Sequence, residues 1–530
     1  METILESFAN TNGNYGLITT EKKLTWREMW DLSSKATAWT NAHGKIIGCL
    51  FTNSHESLAS LVGILRAGGV AASLPLPQRG QPMPEYAATL QKLLLNIECE
   101  VVATSREFAP LLEAAGVTVV TFEEICSYGG VPVESAGGVF LQFTSGSTGD
   151  PKGVPVPLET LYHHSKKLAE RQNVNEKDRD GSMMRSTIWL PTAHDLCLAG
   201  FVMPYWSYNA DLLLRQPLEF MQNPLSWIDD ISDSKAGITA GPNFALELVL
   251  KAAARSDKRW DLSNLKVLTV AGEMVNPETL RRFQERFGPH GLKENVLGIG
   301  YGMAEATLAV AATNPGERWK TSFLDAEELG AGRLVPVGPL QDGLTAVKPD
   351  GHVVEFVSCG APYVDITQDK DFVLHVDGPN LFQGYYGQEK RVAPHNTRDL
   401  GVIIEGEVVV AGRADEVVIV RGKNLFPQDV ELLCEGLVRA GCAAAVPDGR
   451  GGLAIVAEAH YKVDPKEAAS EIRRLVSKGS GIGPSRVVFV EQNSLKKTTS
   501  GKLQRRAIAA GIQAGSFQVV HEESFGKRLY

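Results

Sequence analysis

The sequence predicts an α/β protein, with a large N-terminal part built on several sheets and a smaller α+β domain at the C-terminus. Three observations lead there. Strand-like apolar runs alternate with helix-like amphipathic runs through most of the chain up to Ala411, the pattern of parallel sheets with helical crossovers. At 530 residues the chain exceeds what a single core supports. A polar break at residues 412–416 separates the apolar run Val408-Val-Val-Ala411 from Val417-Val-Ile-Val420.

Taken in order, residues 139–143 read as a buried strand. It leads into Thr144, Ser145, Gly146, Ser147, Thr148 and Gly149, and the run closes on Pro151-Lys152-Gly153. Small residues leave backbone N–H groups open to a ligand, hydroxyls add donors, and Lys152 adds a positive charge. That set suits a polyphosphate. It is not a Walker loop, since Lys152 follows Pro151 and no Ser or Thr comes next. A flexible linker has a similar composition, but the preceding strand and the Pro-Lys-Gly end argue against one.

Residues 189–209 form the longest apolar region, yet they contain Pro191, His194, Asp195 and Pro204, which a membrane helix tolerates poorly. Leu265-Lys-Val-Leu-Thr-Val270 reads as a buried parallel strand. Asn276-Pro277-Glu278 then opens a helix, with an N-cap, a proline at its first position, and an apolar face at Leu280, Phe283 and Phe287. Ligands of such folds lie at the carboxyl ends of strands. The Thr144 loop, Gly272-Glu273 and Gly300-Tyr-Gly-Met-Ala-Glu-Ala-Thr307 all fall at such ends. Residues 417–530 are long enough for a domain of their own. After Gln513 the pattern is weak, and little regular structure is expected.

Composition narrows the class. A formal net charge of −9 disfavours general nucleic-acid binding and attachment to an anionic membrane. Seven cysteines are scattered singly from Cys49 to Cys442, which fits a reducing compartment and neither a disulfide framework nor a zinc site. The first residues lack a basic segment followed by an apolar one, so a cytoplasmic protein is expected.

Motifs in register along nearly the whole chain carry a resemblance. They are Leu141–Val154, Trp189-Leu-Pro-Thr-Ala-His-Asp195, Gly241-Pro-Asn-Phe-Ala245, Gly272-Glu273, Tyr301-Gly-Met-Ala-Glu-Ala-Thr307, Val357-Ser-Cys-Gly360, Asp399-Leu-Gly401, Gly412-Arg413, Val420-Arg-Gly-Lys-Asn424 and Ser500-Gly-Lys502. The chain resembles the adenylate-forming, acyl-CoA synthetase-like superfamily, and within it the fatty acyl-AMP ligases. The resemblance implies an adenylation domain over residues 1–411, a hinge at 412–416 pivoting at Asp415, and a mobile lid over 417–530. It also implies that a fatty or related carboxylic acid attacks the α-phosphate of ATP, and that the acyl group then passes to the phosphopantetheine thiol of an acyl carrier protein.

The same resemblance distributes roles. The loop from Thr144 to Lys152 would hold the β- and γ-phosphates. Glu305 would hold Mg²⁺ with Thr148 near it, and Lys502 would bridge the attacking carboxylate and the α-phosphate. Asp399 would accept hydrogen bonds from both ribose hydroxyls, with Arg413 beside it. Gly272, Glu273, Tyr301, Gly302 and Met303 would border the nucleotide. His194, Asn243 and Phe244 would face the acyl substrate. An insertion at about 322–360 would restrain lid rotation and disfavour CoA; a plain surface hairpin is the other reading. Phe201, Tyr205, Trp206 and Tyr208 are either walls of the acyl pocket or ordinary core. Four departures stand out: Cys197 and Arg398 where glycine is usual, Ala414-Asp415-Glu416 at the pivot, and Leu495-Lys496 where a proline often stands. Alternatives are an acid–CoA ligase and, further off, an amino-acid-adenylating enzyme or a nucleotide-binding homologue without catalysis.

Overall fold

The computed structural model describes residues 3–77, 83–144, 151–174, 184–420, 422–459, 463–497 and 503–525. Among them the strands form six sheets.

Two sheets dominate the N-terminal part. One orders its strands as Val119–Thr121, Val102–Thr104, Ile46–Cys49, Val70–Ser73, Val139–Thr144 and Lys152–Pro157. All its pairs are parallel except the last, where Thr144 stands opposite Lys152. Seven residues between these two are too few for a helical crossover, so the chain has to return antiparallel. The second sheet has nine strands, six of them parallel and adjacent: Leu297–Gly302, Val267–Ala271, Ile238–Gly241, Ser186–Ile188, Leu212–Leu214 and Gly16–Ile18. The register Gly241↔Val270 and Ala271↔Gly300 aligns three carboxyl ends along one edge. The Asn276 carboxamide accepts from the Glu278 N–H and opens helix Pro277–Phe287 as expected, with Leu280, Phe283 and Phe287 buried.

The aromatic residues after His194 divide. Trp206 stacks between Phe8 (4.6 Å) and Trp26 (5.1 Å), and it and Tyr205 are fully buried. They are core. Phe201 alone of the four borders the large crevice described below. Cys197 is buried too and packed in the main core, so it does not narrow that crevice.

Beyond Ala312 the expected βα alternation ends. The regular structure of residues 320–413 is almost all antiparallel strand: Gln341–Asp342, Lys320–Asp325 and Val353–Val357 in one sheet, and Asp365–Gln368, Val373–Asp377, His395–Ile404 and Glu407–Arg413 in another. The one helix there, Ala326–Gly330, is capped by Asp325. Strand Glu407–Arg413 also carries Gly412 and Arg413, opposite Leu400 and Asp399, so the polar turn is confined to residues 414–416.

The C-terminal part has its own cores. A hairpin (Val418–Val420 with Lys423–Leu425) precedes a four-stranded mixed sheet of Val438–Pro447, Leu453–Ala459, Arg486–Val490 and Val519–Ser524. One buried cluster, including Ile455, Ile472 and Phe489, lies on one face, and another, including Val456, Val488 and Ile508, lies on the opposite one. The expectation of little structure after Gln513 is corrected by strand Val519–Ser524, which pairs with Arg486–Val490. It is an edge strand with Val519 and Val520 exposed, so its sequence shows no buried alternation.

Residues 322–360 meet this C-terminal part. Leu324, Leu329, Leu334 and Phe356 share one buried cluster with Val402, Val409 and Ala411 of the N-terminal strands and with Phe426 beyond the hairpin. Gly332 lies hard against the hairpin: a Cβ there would stand 2.6 Å from the Asn424 carboxamide nitrogen.

Candidate active site

One crevice of about 2190 Å³ runs between the strand ends and the C-terminal part. Lys152, His194, Asn243, Phe244, Gly272, Glu273, Tyr301, Gly302, Met303, Glu305, Asp399 and Arg413 all border it. Residues that span about half of the sequence thus meet in one place. Ser145, Gly146, Ser147, Thr148, Gly149 and Lys502 lie outside the described residues, and for Thr144 the strand pairing with Lys152 is what the structure gives. The segments flanking Lys502, Leu495 to Lys497 and Leu503 to Ala507, border the same crevice.

Its first centre is Asp399. This buried residue sits on strand His395–Ile404, and its carboxylate accepts a 2.5 Å hydrogen bond from the Tyr301 hydroxyl. Cross-strand pairing places Arg413 opposite, its guanidinium 3.7 Å from the other carboxylate oxygen. Burial first, then the Asp399 charge, push the Tyr301 phenol well above its ordinary range, so it stays a donor. The backbone N–H of Asp399 donates to the Thr397 hydroxyl (3.0 Å). Arg398, just before it, takes φ +62°, the left-handed region where glycine is favoured. That explains why glycine is the expected residue there. Its carbonyl accepts from the Ala414 N–H (2.9 Å) and its guanidinium lies 4.0 Å from Asp415.

Asp415 gathers further cations: Arg413 Nε at 3.1 Å and Arg506 Nη2, from helix Arg505–Ala514, at 3.4 Å. Beside it Arg505 bridges Glu416 (2.5 Å) and Glu431 (2.7 Å). The turn at 414–416 is therefore clasped from both parts of the chain.

The second centre is Glu305, in the short 3₁₀ turn Ala304–Ala306 after strand Leu297–Gly302. Its carboxylate accepts a 2.8 Å bond from the Tyr385 hydroxyl, and the Lys152 ammonium stands 4.8 Å from the centre of the same tyrosine ring. The sequence reading had not singled out Tyr385. The only signal was a pair of aromatics after Gly384, which core packing would explain equally well.

Glu273 and Asn243 do more bracing than bordering. Glu273 accepts a 2.6 Å bond from the Phe244 N–H at the start of helix Asn243–Ala253, where a carboxylate also meets the positive end of the helix dipole. Asn243 accepts from the Asn276 N–H (3.1 Å). Gly272, at φ +89°, makes the turn that lets Glu273 reach back. His194 immediately precedes helix Asp195–Cys197, and from there the crevice continues past Leu196, Gly200, Phe201 and Leu308, an apolar lining.

The groups present fit a nucleotide. A buried, oriented carboxylate such as Asp399 suits a pair of hydroxyl donors. Glu305 offers the hard oxygen that Mg²⁺ takes when it arrives on phosphates.

The family model of AMP-binding enzymes matches residues 5–386. This chain belongs to the AMP-binding enzyme family. Relatives of this AMP-binding enzyme include the medium-chain-fatty-acid–[acyl-carrier-protein] ligase JamA of Moorena producens, 29% identical over 88% of this chain and 85% of JamA. Another is the 4-hydroxyphenylalkanoate adenylyltransferase of Mycobacterium marinum, 27% identical over 93% of this chain and 86% of the relative. Among solved structures, one from work on fatty acyl-adenylate ligases of E. coli and L. pneumophila superimposes with a TM-score of 0.84 at 21% identity, covering 97% of this chain and 98% of the other. That likeness carries the fold, including the small C-terminal domain of this AMP-binding enzyme. Among the described residues no helix is long and apolar enough to cross a membrane.

Proposed function

We propose that this adenylate-forming ligase activates a fatty or related carboxylic acid to acyl-AMP and then loads it onto the phosphopantetheine thiol of an acyl carrier protein. The observation that carries the reading is the meeting, in one crevice, of the Asp399–Tyr301–Arg413 cluster, the Glu305–Lys152 pair and an apolar branch beginning at His194. The names of JamA and of the fatty acyl-adenylate ligases point the same way.

In the first half-reaction a carboxylate oxygen attacks the α-phosphorus and pyrophosphate leaves. Both reactants are anions, so positive groups fixed in advance lower the barrier most. Lys152 serves the β- and γ-phosphates with Thr144 and the loop after it, and Lys502 meets the charge growing between carboxylate and α-phosphate. Mg²⁺, held by Glu305 with Thr148 near it, would neutralise charge on the departing pyrophosphate. Asp399 anchors the ribose and Arg413 balances its charge. His194 lies where acyl chain and carboxylate meet. In the second half-reaction the thiol attacks the acyl carbonyl and AMP leaves.

Residues 1–411 act as the adenylation domain, 412–416 as the hinge with Asp415 at its pivot, and 417–530 as the lid. Hinges commonly absorb rotation in a few residues between packed units. The buried cluster that joins Leu329 and Phe426, with the close approach of Gly332 to Asn424, supports restraint of that rotation by residues 322–360, and hence a carrier protein over CoA. Incubation with a fatty acid and MgATP, adding CoA in one arm and a holo carrier protein in the other, tests the reading. Thioester on the carrier with little acyl-CoA is expected; rapid acyl-CoA formation would overturn the carrier assignment in favour of an acid–CoA ligase.

A further inference from the structure

Tyr385 meets Glu305 and Lys152 at once. Its hydroxyl donates to Glu305 at 2.8 Å while its ring faces the Lys152 ammonium at 4.8 Å. The segment around it is pinned on both sides. The Phe382 N–H donates to the Glu305 carbonyl (2.8 Å), and the Tyr386 N–H donates to the carbonyl of Gly153, next to Lys152 (2.8 Å). The Phe382 ring meets Tyr385 edge-on at 4.9 Å, and the Arg391 guanidinium donates to the Phe382 carbonyl (2.7 Å), closing the turn. A ring that merely filled space would need no hydroxyl bond to Glu305.

We propose that Tyr385 is a positioning residue whose hydroxyl orients the Glu305 carboxylate toward a divalent cation carried on a nucleoside triphosphate, while its ring steadies Lys152 for the phosphates. The inference rests on the reading that Lys152 and Glu305 serve the nucleotide. The hydroxyl engages one oxygen of Glu305 and so fixes the carboxylate plane. Partners of this kind fix the geometry of a metal ligand without touching the metal. The ring offers a cation–π face that holds an ammonium without neutralising it.

Calorimetric titration of the full chain with the non-hydrolysable β,γ-imido analogue of ATP, with and without Mg²⁺, tests this without any acyl substrate. A failed acyl assignment therefore leaves the result standing. In the native protein Mg²⁺ tightens binding. Tyr385→Phe keeps the ring and its packing, so metal-free binding is expected to stay unchanged while the gain from Mg²⁺ shrinks about ten- to a hundredfold, the range for partners of metal ligands. In a Glu305→Gln background the same substitution should cost nothing further, since the coupling runs through that carboxylate. Tyr385→Ala, which also removes the ring from Lys152, should weaken metal-free binding as well. A full Mg²⁺ gain retained in Tyr385→Phe, or equal losses with and without the metal, overturns the proposal.

Discussion

Asp399 shows how a single side chain is held from two directions. A hydroxyl from Tyr301, 98 residues away in sequence, and a guanidinium from the neighbouring strand hold its carboxylate. Asp399→Asn keeps the shape and removes the charge. With the hydrogen bonds to a charged group worth about 1.5–3 kcal/mol, pyrophosphate release per enzyme at low ATP should drop roughly ten- to a hundredfold. Unchanged kcat/KM for ATP would take Asp399 out of the site. Lys502→Ala should slow adenylation by about 10²–10³ while leaving nucleotide binding largely intact, the effect of losing one preorganised charge. Equal rates for variant and native protein would exclude Lys502 from the chemistry. At this scale, residues within motifs were legible, because Asp399, Arg413, Glu305 and Tyr301 carry groups that few other tasks need. The use of Glu273 to cap helix Asn243–Ala253 and the bond from Tyr385 to Glu305 were not, since both depend on chain segments 29 and 80 residues apart meeting in space.

At the scale of elements, residues 322–360 and helix Pro427–Leu432 make distinct claims. Leu329 is buried in the cluster that reaches Phe426, so Leu329→Ala removes packing worth about 2–5 kcal/mol. The ratio of acyl-CoA to acyl-carrier product should rise in that variant; an unaltered ratio would leave this segment without influence on the acceptor. On helix Pro427–Leu432, burial, with the charge of Glu431 adding, pushes the Asp429 carboxyl up to about 7. In the unfolded chain it titrates near 3.9, so across that window only the folded state keeps its proton. Stability from this group is therefore present at low pH, falls as pH rises toward 7 and levels off above it. Urea midpoints of native protein and Asp429→Asn should diverge between pH 5 and pH 8, the native protein losing ground; parallel curves would contradict the assignment. Strand–helix alternation was legible through residue 312 because parallel strands buried on both faces write unbroken apolar runs. From 320 to 413 the strands are antiparallel, several are short, and their burial is mixed, so no period announces them.

Among the described residues, the sheets before and after the turn at 414–416 border one crevice, and arginines from both sides clasp that turn. The turn itself could be read from the polar break after Ala411, because a change in pattern there interrupts two apolar runs. The manner in which residues 322–360 lean on the hairpin could not, since a buried cluster that joins Leu329 to Phe426 leaves no periodic trace in a linear chain. What this architecture accomplishes is bringing a carboxylate and a triphosphate together against their mutual repulsion. Mass spectrometry of the purified chain mixed with MgATP and a panel of fatty acids of graded length asks this most directly. The expected result is an acyl-adenylate of at least one acid, accompanied by an equal amount of pyrophosphate; an absence of mixed anhydride for every acid would contradict the account.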